Sequence, residues 1–434
     1  MINALSEWNE WWNGKEVESE LIGRRRTKII KELIELMDIR EIKLVTGIRR
    51  SGKSTLFYQL IDFLLKSGVD SKEILLINFE DDILAGKKLR ELFDVYQSNI
   101  NSDKKPYLFL DEIHRCQDWV LFLRKLYDLK KLKQIFITDS SSKFIKPEYS
   151  GVVTGRNVAF NVFPLSFKEY LEWKNIEFNL KIIGGEEINK IKKILLEYLR
   201  WGGFPEIFSK QGITKKRLLL EYFSDIIHKD IVERYNVSYS KIKMLANFLV
   251  SNCATVFSPR NYAKTYGLSL DSINSYNQYF GEVFLFFFLA KFSYSINEQQ
   301  ISQKKIYVCD NGFFNNAGFK FNQDIGRLYE NEVFLELNRR NKEIYYWKDK
   351  YECDFLIKEG LKITEAIQVC YEINEKNKKR EVEGLLGALE KFKLKKGVII
   401  TDNKEGSENI KGKKIIYKPL WKFLLEDEFK SIKR

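Results

Sequence analysis

Residues 47–54 read Gly47-Ile48-Arg49-Arg50-Ser51-Gly52-Lys53-Ser54 and fill the pattern G-x-x-x-x-G-K-[ST]. The apolar, β-type stretch 42–46 precedes them, and residues 55–61 follow with helical spacing. A strand that stops, a glycine loop and a new helix gather backbone N–H groups and the positive helix end at one point. The glycines let the backbone approach phosphate oxygens, Lys53 brings a compact charge to the β/γ-phosphates, and the Ser54 hydroxyl can ligate Mg²⁺. Gly47, Arg50, Ser51, Gly52, Lys53, Ser54 and Thr55 are therefore the expected nucleotide-binding residues, for ATP with Mg²⁺.

A sheet built for this chemistry needs a second buried strand that ends in an acid. Lys105-Pro106-Tyr107-Leu108-Phe109-Leu110-Asp111-Glu112 has that form: an apolar run with acids at its carboxyl end, where α/β sheets place ligands. Asp111 is the expected Mg²⁺ holder, and Glu112 the base that polarises the attacking water. A third apolar run, 134–138, leads into Asp139-Ser140-Ser141-Ser142. Hydroxyls there, Thr138 and Ser140 first, either sense the γ-phosphate or serve as turn residues. Residues 74–79 read as one more buried strand.

Here the chain resembles the prokaryotic AAA+ ATPases of the AAA_14 group with a DUF4143 domain, plentiful in archaea. The likeness runs through the loop, through Asp111-Glu112-Ile113-His114 with Trp119, and through Thr138-Asp139-Ser140-Ser141-Ser142 and Thr154-Gly155-Arg156. It continues in Phe163-Pro164-Leu165-Ser166-Phe167, Gly202-Gly203-Phe204-Pro205-Glu206, Asp225-Ile226-Ile227, and Lys305-Ile306-Tyr307 with Asp310-Asn311-Gly312. Asp139 departs from the group, which usually has glycine before its serines. The resemblance implies a P-loop AAA+ parallel sheet with a helical lid, a homo-oligomer, and an arginine that reaches the γ-phosphate of a neighbouring subunit. Arg156 is the preferred candidate, with Arg124 behind it; a structural contact to a carboxylate is the other reading. Arg24-Arg25-Arg26 reads as a solvated basic face rather than an adenine edge, and Trp8, Trp11 and Trp12 as a strap holding the N-terminus to the core.

A chain of 434 residues calls for several cores. The expected division is 1–165, N-terminal segment and ATPase core; 166–236, helical lid; 237–312, winged helix; and 313–434, a C-terminal α/β domain. The lid contains the breaker Gly202-Gly203-Phe204-Pro205, a rigid elbow. In the third segment Ser258 and Pro259 start a helix that ends near Gly267. A further helix carries Asn274, Tyr276, Asn277, Gln278 and Tyr279, and apolar strands follow. These side chains suit a major groove, although such modules also serve purely for packing. The +13 formal charge points to a polyanionic partner, DNA first, or to a lysine-rich surface kept for solubility.

The last segment has the order helix, three strands, helix, strand, which resembles PD-(D/E)XK nucleases. That chemistry needs carboxylates for metal and a lysine for water. Glu330 and Asp354 stand where the first two acids belong, but Gln368 and Cys370 replace the expected Glu-x-Lys. The expectation is a nuclease-like fold with a degraded site, with Glu365 or Lys358 as the residues able to migrate into it. Five scattered cysteines without a C-x-x-C pair argue against disulfides or a cysteine zinc site and suit a reducing cytoplasm; two histidines exclude a His-rich metal centre. The N-terminus lacks a signal pattern and the longest apolar run, 283–290, is too short to span a bilayer. The expected activity is Mg²⁺-dependent ATP hydrolysis driving conformational change on DNA. A nucleotide-gated switch with little turnover and an ATP-driven nuclease are the alternatives.

Overall fold

In the computed structural model, which describes residues 1–142, 155–318 and 324–426, the chain divides into two compact units. The first comprises Met1–Val162 with Glu282–Phe284, the second Phe163–Gly281 with Leu285–Arg434.

The first unit is built on strands β1 (Ile42–Thr46), β2 (Ile74–Asn78), β3 (Tyr107–Asp111), β4 (Gln134–Asp139) and β5 (Asn157–Asn161). They lie in the order β2-β3-β4-β1-β5, every neighbour parallel. Apolar runs such as Ile74-Leu75-Leu76-Ile77 are buried on both faces, which parallel sheets require because crossover helices cover each side. The helix Lys53–Lys66 docks Phe57 edge-on against Phe109 and Phe136, whose own rings stack 4.8 Å apart. β2 is an edge, and the N-terminal segment closes it. Asn9 donates to the Leu76 carbonyl at 2.8 Å and accepts its N–H at 2.7 Å, standing in for a neighbouring strand. Trp11 and Trp12 both donate to the Ile74 carbonyl and Trp8 to Asp81, so the tryptophans are the strap their sequence implied.

The second unit starts with the helix Phe167–Trp173, whose Ser166–Glu169 capping box satisfies its first N–H groups, followed by Gly185–Trp201 and Gly212–Asp225. Then come the helix Tyr239–Ser251, β6 (Val256–Phe257), the helices Pro259–Tyr266 and Leu270–Glu282, β7 (Phe286–Leu289) and β8 (Lys304–Val308). The three strands pair antiparallel in the order β6-β8-β7. On the helix Leu270–Glu282, Ile273, Tyr276 and Phe280 turn inward, leaving Asn274 and Gln278 exposed. Tyr276 is thus a core residue, not one presented outward as its polar neighbours suggested.

After the helix Ile325–Arg339 come β9 (Glu343–Lys348), β10 (Glu352–Glu359), β11 (Lys362–Val369), the helix Glu375–Lys391, β12 (Lys396–Thr401), β13 (Gly406–Ile410), β14 (Lys413–Pro419) and the helix Leu420–Leu425. They form one six-stranded sheet, β13-β14-β12-β11-β10-β9. The hairpin β13–β14 and the last helix extend the sheet past the order read from sequence. Among the described residues no helix is long and apolar enough to cross a membrane.

The glycine elbow is fixed by one carboxylate. Asp310 accepts the Gly203 N–H and the Gly312 N–H, each at 2.7 Å. Gly202 turns beside it with φ +77°, where a Cβ would overlap the Asp310 carboxyl group. Gly202→Ala therefore meets both a strained backbone and a buried clash. We expect it to cost at least about 3 kcal/mol in denaturant unfolding of the second unit, far above an ordinary glycine-to-alanine change.

Candidate active site

The loop between β1 and the helix Lys53–Lys66 is tightened by unusual backbone angles. Gly47 (φ +153°) runs so close to Val162 that a Cβ would overlap its carbonyl, and Arg50 (φ +69°) and Gly52 (φ +94°) are left-handed. Such a conformation aims successive N–H groups to one side, the geometry of an anion cradle. Arg26, 4% exposed, donates to the Ser51 carbonyl at 3.2 Å from outside, and Arg25 pairs with Asp62. Arg26 therefore buttresses the loop, where a solvated face was expected, while Arg24 and Arg25 are exposed as that reading has them. The triplet's position just before a helix does not by itself separate a buttress from a solvated face.

Lys53 folds back over the loop, 3.1 Å from the Gly47 carbonyl and 3.3 Å from that of Ile48, and its ammonium is 3.6 Å from Glu112 Oε1. β3 delivers the acids. Asp111 is buried and accepts hydrogen bonds from the hydroxyls of Thr138 and Ser54. Thr138 also accepts the Glu112 N–H at 2.9 Å, so one hydroxyl on β4 holds both members of the pair. Glu112 itself has φ +52°, which turns its side chain out of the strand toward Lys53. Burial first, then the Glu112 charge, pushes the Asp111 carboxyl up to about 6. Ser54 and Asp111 are hard oxygen donors joined to each other, the set Mg²⁺ takes, and the residues fit that ion.

Ser140 is fully buried at the end of β4, as is Asp139, which accepts the Ser141 N–H at 2.8 Å. His114, just past Glu112, directs Nδ1 at Glu112 Oε2 (3.3 Å) and Asp139 Oδ1 (3.6 Å). In sequence His114 and Asp139 stand only within longer motifs; the β3–β4 pairing brings them together.

Arg156 is not brought to this site within one chain. Its carbonyl accepts the N–H of Ile42, the first residue of β1, whereas the loop follows the last, a strand's length of roughly 13–16 Å away. Its guanidinium pairs with Asp128 at 3.3 Å, and Arg124 pairs with the same carboxylate at 3.4 Å. Thr154 of the same motif lies outside the described residues.

In the second unit the structure assembles Glu330, Asp354 and Gln368 and adds three residues the sequence did not single out for this place. Lys305, from β8, sets its ammonium 2.7 Å from Glu330, 2.7 Å from Glu352 and 2.9 Å from Asp354. Tyr307, two residues on along the same strand, donates to Glu330 at 2.7 Å. Gln368 accepts the Asp354 N–H and donates to Glu381, while Val369 N–H bonds Asp354 Oδ2. Cys370 turns away to the Glu372 carbonyl, and burial pushes its thiol up to about 12. Burial would lower Lys305, but the facing carboxylates, Asp354 and Glu330 foremost, hold it well above its usual value. One ammonium does not neutralise three acids: burial and the Glu330 charge still push Asp354 up to about 7. Neither Glu365, exposed on β11, nor Lys358, paired with Glu343, enters the cluster.

Two outcomes test these electrostatics. Lys305→Met strands the buried Asp354 and the half-buried Glu330 and Glu352 and is expected to cost about 3–5 kcal/mol in denaturant unfolding, partly recovered by adding Glu330→Gln and Asp354→Asn. For Asp111, whose folded-state pKa lies above its usual value, the stabilising contribution is complete at low pH and lost as pH rises through about 6. Asp111→Asn should therefore stabilise the nucleotide-free protein by roughly 2–3 kcal/mol at pH 8, a melting-temperature gap that shrinks toward pH 5.

Comparison with known proteins fits this geometry. Residues 39–171 match the family model described as an AAA domain (AAA_14). Residues 192–324 match a domain of unknown function, DUF8612, where the sequence resemblance implied DUF4143. The chain is 37% identical over 422 residues to the Methanocaldococcus jannaschii protein MJ1544, covering 92% of each. It is 28% identical to a Haemophilus influenzae protein, covering 91% of this chain and 98% of that one. Among solved structures it is similar to the Thermotoga maritima RuvB Holliday junction branch migration motor at 15% identity and a TM-score of 0.29, covering 63% of this chain and 92% of that one. That score is too low to carry an argument. At 37% identity over nearly its whole length, this chain belongs to the family of MJ1544, and its loop, acid pair and parallel sheet lie in an AAA domain.

Proposed function

We propose that the protein is a Mg²⁺-dependent ATPase whose nucleotide cycle drives conformational change while it acts on or is bound to DNA. The observation that carries it is the meeting of Lys53, Ser54, Asp111 and Glu112 at the carboxyl ends of β1 and β3. In this reading the loop N–H groups and Lys53 cradle the β/γ-phosphates. Ser54 and Asp111 would hold Mg²⁺, which would supply positive charge beside the phosphate oxygens. Glu112, released from Lys53 when phosphate takes that ammonium, accepts the proton of the attacking water. Thr138 keeps base and metal acid in register, a positioning role that absorbs its proposed sensor function; Ser140 stands beside it. Arg156 and Arg124 would act only across a homo-oligomer contact, after leaving Asp128.

DNA as partner is supported by the +13 charge and by the helix–strand–helix–helix–strand order from Tyr239 to Leu289, closed by β8 after the short helix Ile296–Ile301, which we read as a winged helix. The last domain we read as a nuclease-like fold in which the Lys305 ammonium takes the cation's place, so that it binds or assembles rather than cuts. The five cysteines, all buried and free, suit a reducing cytoplasm.

Lys53→Ala is expected to abolish ATP binding. Glu112→Gln should bind ATP with Mg²⁺ while phosphate release falls at least ~100-fold. Normal turnover in the glutamine variant would remove Glu112 from the mechanism; wild-type turnover at the background rate would favour a nucleotide-gated switch.

A further inference from the structure

The three side chains grouped beside the acid pair have the makings of a site of their own. Glu112, His114 and Asp139 each direct one ligand atom to a common point, all within 4.8 Å of one another. Two of the separations, 3.3 Å from His114 Nδ1 to Glu112 Oε2 and 3.6 Å from it to Asp139 Oδ1, bracket the edge of a tetrahedron around zinc, about 3.4 Å for bonds near 2.1 Å. Glu112 is 6% exposed and its Oε2 makes no hydrogen bond, although Oε1 faces Lys53. A buried carboxylate oxygen in that condition is costly unless a cation or donor meets it.

Charge argues the same way. Asp111, Glu112 and Asp139 crowd the adjoining carboxyl ends of β3 and β4, all buried, with Lys53 the cation paired to Glu112. Asp139 is already oriented by the Ser141 N–H, as an outer-shell donor orients a metal-bound carboxylate. An imidazole nitrogen beside two carboxylates selects a zinc-like ion over Mg²⁺, which prefers oxygen alone.

We propose that Glu112, His114 and Asp139 form a binding site for a divalent zinc-class ion, distinct from the Ser54–Asp111 pair and sharing the catalytic base. Three protein ligands leave a fourth position open to water. Because the ion occupies Glu112, it suppresses ATP turnover; this consequence, unlike the binding itself, rests on the hydrolytic reading of Glu112. The second histidine of the chain, His228, pairs with Glu233 at 3.1 Å on the surface and serves as a control.

The test is a calorimetric titration of ZnCl₂ into the full-length, nucleotide-free protein. One ion per chain is expected, its affinity reduced at least ~30-fold by His114→Ala and by Asp139→Asn and unchanged by His228→Ala. His114 is the more exposed of the two tested ligands, and melting curves verify that each variant is folded; if Asp139→Asn is not, His114→Gln replaces it. Absence of zinc uptake by the wild type, or uptake unchanged in a folded His114→Ala protein, overturns the site. In Mg²⁺ buffer, micromolar zinc should slow ATP turnover severalfold in the wild type and spare His114→Ala; equal inhibition of both overturns the sharing of Glu112. His114-dependent uptake in a protein that hydrolyses no ATP would uphold the site and sink the hydrolytic reading instead.

Discussion

The Thr138 hydroxyl sits between the Asp111 carboxylate and the Glu112 N–H, and the order of the first unit's chemistry follows from that bridge. Parallel pairing of β3 with β4 puts the threonine in reach; the left-handed turn at Glu112 then separates two adjacent acids into two directions. One faces Ser54 and the other faces Lys53. Without the bridge, two buried carboxylates on neighbouring residues would repel with only Ser54 and Lys53 to hold them apart. Every other site residue is placed relative to this pair, including His114 and Asp139.

Two buried lysines show opposite solutions to the same electrostatic problem. Lys53 rests against loop carbonyls and one carboxylate, an arrangement that a phosphate can displace because the ammonium is only partly matched. Lys305 donates to Glu330, Glu352 and Asp354 at hydrogen-bond distance and has no further N–H to donate. The first is a charge waiting for a ligand and the second a charge already spent. The difference is one of matching: the first ammonium faces one carboxylate and the second faces three.

The sequence made local features readable. The phosphate loop, the apolar strands and the Ser258–Pro259 helix start are set by neighbouring residues, and the structure has each of them. The mixed α/β character and the parallel sheet follow from the same patterns. What escaped depends on residues far apart. Lys305 meets Glu352 and Asp354 only because β8 and β10 converge, and a lysine two residues from a tyrosine on an apolar strand carries no mark of that. Arg156 looked catalytic as part of a motif, yet parallel pairing places it at the end of the sheet away from Lys53. Arg26 read as surface because burial of an arginine against a carbonyl has no sequence signature. The hairpin β13–β14 continues a sheet whose order looked complete.

The clasp at Asp310 has a topological consequence. Gly203 and Asp310 are 107 residues apart in sequence but joined by one hydrogen bond, so the chain leaves the elbow and returns to it. The stretch between, from the helix Gly212–Asp225 through β8, is closed into a loop by this bond, and β8 is tied further to Glu330 and Asp354 through Lys305. Closing so long a loop is entropically costly once and adds little with each further residue. The intervening segment can therefore gain or lose surface turns without disturbing the anchor. A lineage carrying this clasp can reshape that arm while its elbow stays fixed.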